Sequence, residues 1–123
     1  MLSRRKATLA AYLIDAFVDR LFAARAEPAG DILAFRAGMA KAQPPLGLIL
    51  ELVAGRAELR LETVQVPLAE YGKLSVEDFM VSLYNQHSVQ RLLIATPDGG
   101  REDVHAVLAA AIAALDVERR TFG

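Results

Sequence analysis

The chain has no cysteine. Disulfides, thiolate zinc sites, iron–sulfur clusters and cysteine nucleophiles are therefore excluded. A cysteine-free chain suits a reducing cytoplasm, and a cytoplasmic location is the expectation. A basic surplus is missing as well: 14 Lys and Arg stand against 15 Asp and Glu, for a net charge of −1. Nucleic-acid binding by phosphate neutralisation needs clustered cations, so no nucleic-acid partner is expected. The apolar stretch 7–14, preceded by Arg4-Arg5-Lys6, has the outline of a signal peptide, with Ala24-Arg25-Ala26 as a small-residue cleavage site. Asp15, Asp19 and Arg20 interrupt it, and a spanning helix needs about 20 apolar residues, so neither export nor a membrane span is expected.

Catalytic signatures are scarce too. The phosphate-loop and dinucleotide patterns are incomplete, because no Gly-Lys-Ser/Thr follows the Gly99-Gly100 pair and no third glycine joins it. No Ser-His-Asp set has a recognisable spacing. Glu102 and His105 form one Glu-x-x-His spacing, whereas di-metal carboxylate bundles need two such motifs and further Glu residues. Asp15 and Asp19 share a helix face, where a solvated stripe explains them better than acid–base work. No catalytic residue, metal or cofactor is therefore assigned, and the reading leans away from an enzyme. There is no internal repeat and no separating linker, so residues 1–123 are read as a single domain.

What the chain does have is apolar surface. Its 123 residues are 54% hydrophobic, against about 45–50% for an ordinary domain. A small domain has much surface for its volume, so part of that surplus must face outward and favour a partner. Charge is also divided along the chain. Arg4, Arg5, Lys6, Arg20 and Arg25 against Asp15 and Asp19 make the first 25 residues basic, while residues 57–123 carry an acidic excess.

Periodicity places the elements. Thr8 to Ala26 reads as a helix with a narrow polar stripe at Thr8, Tyr12, Asp15 and Asp19. Its apolar arc is wider than one packing face requires. Leu9, Leu13, Phe17, Leu21 and Phe22 are the candidate residues of an interface with a second molecule. After a break at 27–30, Asp31 is placed to cap a helix through about Ala42. Leu46 to Val53 is ambiguous: alternating leucines suggest a strand, while the prolines ahead and Gly55 behind favour the helix preferred here. Ala57 to Val66 reads as a strand, with Glu58, Arg60 and Glu62 as the alternating charges of a solvent or edge face. Ser75 caps an amphipathic helix containing Val76, Phe79, Met80, Leu83 and Tyr84. Leu92-Leu93-Ile94 reads as a strand covered on both faces. Thr96-Pro97-Asp98-Gly99-Gly100 is a turn, and a last helix follows from about Arg101 to Glu118. Its buried face is expected at Val104, Val107, Leu108, Ala111, Ile112 and Leu115.

The fold class expected is α/β or α+β. A helical N-terminal half (1–54) precedes a β-α-β-α unit (57–118) with a small, partly parallel sheet of two or three strands. The 66–89 connection is long enough for a right-handed parallel crossover. Function is read as a small assembly or interaction protein acting as a homo-oligomer, with another protein as the second kind of partner considered. The alternative is a small-molecule-binding domain or small enzyme with a polar site at Tyr84, His87, Asp98, Gly99 and Gly100. A helix C-terminal cap and a plain turn account for the same residues.

Overall fold

A computed structural model of the chain describes residues 3–24, 31–65, 74, 76–78, 80 and 88–122. Four helices and three strands carry the argument: α1 (Arg4–Ala23), α2 (Ile32–Ala42), α3 (Pro44–Val53), β1 (Glu58–Gln65), β2 (Ser88–Ala95), β3 (Arg101–Asp103) and α4 (Val104–Phe122).

The helix boundaries follow from local chemistry. Ser3 starts α1 by accepting the Lys6 backbone N–H, one turn earlier than the apolar pattern suggests. Asp31 caps α2 as expected, accepting the Leu33 N–H at 2.9 Å. The ambiguous 46–53 stretch is helical. Pro44 and Pro45 occupy its first positions, where the N–H each lacks would have had no partner within the helix. Gly55, at φ 83°, ends it: the Arg56 N–H reaches the Glu51 carbonyl and the Gly55 N–H reaches Leu52. The alternation of leucines in this stretch therefore has no structural meaning.

The α3 helix is the hub of the helical layer. Leu46 and Ile49 are fully buried and Leu50 nearly so, and α1, α2 and α4 all pack on it. Gly47 permits the close crossing with α2, since a Cβ there would lie 2.9 Å from the Ala40 carbonyl oxygen. The helical layer covers the face of the sheet that bears Leu59, Leu92 and Ile94.

The sheet corrects one expectation. It is antiparallel throughout, in the order β1-β2-β3, and no part of it is parallel. The register Glu58↔Ala95 through Gln65↔Ser88 brings both ends of the 66–87 connection to the same end of the sheet. That connection is an excursion and return, not a crossover. The length of a connection permits either pairing. β2 is buried on both faces, as expected, because it is the central strand: Leu92 and Ile94 on one side, Val89 and Ala95 on the other. Burial on both faces does not require parallel pairing.

The third strand is also displaced from expectation. It is Arg101–Asp103, read from sequence as the first turn of the last helix. Its three polar residues pair with Leu93–Ala95 across the turn, and α4 begins only at Val104. Asp103 then caps α4, its carboxylate accepting the Ala106 N–H at 2.9 Å. Residues 76–78 and 80 are helical, and Asp78 pairs with Arg91 on the second face of the sheet at 2.9 Å. Val76 and Met80 are exposed there, contrary to the apolar face expected of them. The Ser75 cap, Phe79, Leu83 and the 27–30 break lie outside the described residues.

Candidate functional site

The buried row of α1 is Ala7, Ala11, Ile14, Val18 and Leu21, at the three- and four-residue steps of one helix face. That row is turned away from the one the leucines suggest. Leu9 and Leu13 are left outside, at 61% and 63% exposure, with Tyr12 beside them. On α4 the buried row is Val104, Val107, Leu108, Ala111, Ala114 and Leu115. Ile112, expected in the core, is instead 56% exposed, as is Val117. Ala106, Ala109, Ala110 and Ala113 are exposed around them. Two packed helices thus present unburied apolar side chains side by side.

Between them lies a groove of about 360 Å³. Ala10, Leu13, Ile14 and Phe17 form its α1 wall, and Ile112 and Leu115 its α4 wall. Asp116 and Arg119 supply the polar end. They are bonded to each other at 2.9 Å, and Arg120 reaches the same carboxylate at 3.0 Å. The hydrogen bond from Arg119, helped by the charge of Arg120, holds the Asp116 carboxyl below the usual carboxylate range. With its one acid and its bases mutually satisfied, the groove offers apolar contact and little else.

The five residues singled out as interface candidates have different fates. Leu9 and Leu13 are exposed, and Phe17 is half-buried in the groove wall. Leu21 is buried in the chain's own core. Phe22 is half-buried against Phe35 of α2, ring centroids 5.4 Å apart. Ile112 and Val117 were missed. The signal available was the 104–115 stretch itself, whose alanines leave hardly any polar face on that helix.

The polar stripe of α1 is not simply solvated. Arg36 of α2 bonds both Asp15 and Asp19, the latter at 2.8 Å, tying α1 to α2. Partial burial works against the Arg36 charge, but the two carboxylates outweigh it and raise its pKa.

The second candidate site separates into two parts. Tyr84 and His87 lie outside the described residues. Asp98, Gly99 and Gly100 form the β2–β3 turn. Asp98 accepts the Thr96 hydroxyl and the Gly100 N–H, and Gly99 sits at φ 90°. Those two bonds, the Thr96 hydroxyl first, hold the Asp98 carboxyl below its ordinary range. Both bonds fall on Oδ1, which thus shapes the turn. Asp98 and Gly100 also line an open hollow of about 460 Å³ with Pro44, Gly47, Glu51 and Glu102. Glu102 is in β3 while His105 is in α4, so the Glu-x-x-His spacing does not lie on one helix. Among the described residues, no group of three or more His, Asp or Glu side chains could hold a metal, and no helix is long and apolar enough to cross a membrane.

No protein-family model, curated protein or solved structure matches the chain.

Proposed function

We propose that this is a small interaction protein of the cytoplasm that works as a homo-oligomer, associating through the α1–α4 face. One observation carries the reading: Leu13, Phe17 and Ile112 line an apolar groove, with exposed Leu9 one turn before Leu13 on α1. Exposed apolar residues gathered on one face of a small domain mark a contact surface, where scattered ones would mean nothing. Water gains nothing from wetting that groove, and a second apolar surface gains about 25 cal/mol for each Å² covered. The absence of cysteine supports the cytoplasmic part of the proposal.

The ligand-site alternative draws less support. Its one described carboxylate at the turn, Asp98, has its Oδ1 engaged by Thr96 and Gly100, and Tyr84 and His87 lie outside the described residues. The test of the main reading is sedimentation over the micromolar range. A dimer or larger species is expected. A monomer throughout that range would remove the proposal.

A further inference from the structure

We propose that β1 is a self-pairing edge: two copies of this chain join their β1 strands antiparallel about a two-fold axis at Leu61, making one continuous sheet. The inference rests on the reading of the protein as self-associating and adds a second contact with different residues. β1 is an outer strand, paired on one side with β2, and among the described residues no strand pairs with its other side. It is eight residues long, and all of it but Leu59 and Glu62 is exposed. An edge of that length presents a row of backbone donors and acceptors to any strand that fits.

Backbone parity limits what fits. The Leu59 carbonyl accepts the Arg4 guanidinium at 3.4 Å, so it points away from β2. Backbone groups alternate along a strand, so Leu59, Leu61 and Thr63 all turn their N–H and C=O outward. Registers that set an outward residue against an inward one cannot bond. Those that remain place the two-fold axis on a residue of β1.

Charge then chooses among them. Glu58, Arg60 and Glu62 share one face of the strand. An axis at Arg60 sets Arg60 on the second copy's Arg60 and Glu58 on its Glu62. An axis at Glu62 sets Glu62 on itself. Like charges directly opposite oppose pairing. An axis at Leu61 sets Arg60 on the second copy's Glu62, and Glu62 on its Arg60. The same register pairs Leu61 with Leu61 and Leu59 with Thr63, each exchanging both backbone bonds. It also uses nearly the whole strand, whereas an axis at Leu59 or Thr63 leaves one end unpaired. Leu61, 47% exposed, gains cover at the centre. Charge thus admits two registers, with axes at Leu59 and at Leu61, and the length of strand paired selects Leu61.

The cysteine-free chain makes the test direct. Opposed residues at the axis have Cα atoms about 5.5 Å apart, within the range a disulfide spans. Leu61→Cys is expected to give a disulfide-linked dimer under mild oxidation. Thr63→Cys, whose copies would lie about 13 Å apart along the strands, is expected to stay unlinked. Arg60→Glu in the Leu61→Cys background should slow linking tenfold or more, and adding Glu62→Arg should restore it. Circular dichroism checks that each variant is folded. Equal linking rates at 61 and 63, or no linking at 61, overturn the β1 proposal. If the unaltered protein still sediments as an oligomer in that case, the α1–α4 reading survives alone. Site-specific linking at 61 in a protein whose oligomer is unaffected by Leu13→Asp leaves β1 standing and removes the α1–α4 contact, and a monomer throughout the micromolar range removes both.

Discussion

Leu13 and Ile14 are neighbours in sequence with opposite assignments, and replacing each separates assembly from folding. Ile14 is 5% exposed and Leu13 63%. Fully burying a leucine is worth about 1.5–3 kcal/mol, so covering the exposed part of Leu13 is worth about 1–2 kcal/mol. A two-fold interface contains the residue twice, which doubles the loss to about 2–4 kcal/mol when both copies carry Leu13→Asp. At about 1.4 kcal/mol per decade, dimer affinity should fall by about thirty-fold to several-hundred-fold. The buried aspartate charges would deepen that loss. The folded subunit should lose little, because an exposed helical site tolerates the change to within about 1 kcal/mol. Ile14→Ala should do the reverse, costing about 2–5 kcal/mol of stability through a core cavity. Sedimentation equilibrium reads the first effect and denaturant melts the second. If Leu13→Asp associates as tightly as the unaltered protein, the α1–α4 groove is not the contact. If Ile14→Ala melts like the unaltered protein, the packing of α1 given above is wrong.

Other sites give independent checks. Gly47→Ala drives a methyl against the Ala40 backbone and should cost about 1–3 kcal/mol by spreading α2 from α3, seen as a lower melting midpoint. Asp103→Ala removes the side-chain cap of α4 and should cost about 0.5–2 kcal/mol; an unchanged melt would contradict the helix start at Val104. Asp98 should titrate below the ordinary aspartate range when followed by NMR, and Thr96→Val should bring it back up. The sign is fixed: a depressed carboxylate pKa adds stability that is complete above the unfolded-state value and is lost as pH falls through the depressed one.

Local chemistry was legible in the sequence. Asp31 as a cap, the two prolines ahead of α3, Gly55 behind it and the Thr96–Gly100 turn each act within a few residues, so their identities are enough to place them. The alternating charges of β1 likewise announced a strand with an exposed side. The sequence also carried the apolar surplus that has to lie somewhere on the surface.

What the sequence could not decide were relations between distant segments. Whether β1 and β2 run parallel depends on where the 66–87 connection returns, and its length allows both. Three polar residues became β3 because the turn folds them back on Leu93–Ala95; alone they read as the charged start of a helix. The apolar arc of α1 was visible as a whole, but the division between core and surface was not. Ile14 and Leu13 are equally good apolar residues, and the positions of α3 and α4 decide which one is covered. The same packing left Ile112 outside and took Leu21 in. A helix face is chosen by its neighbours, and those neighbours come from elsewhere in the chain.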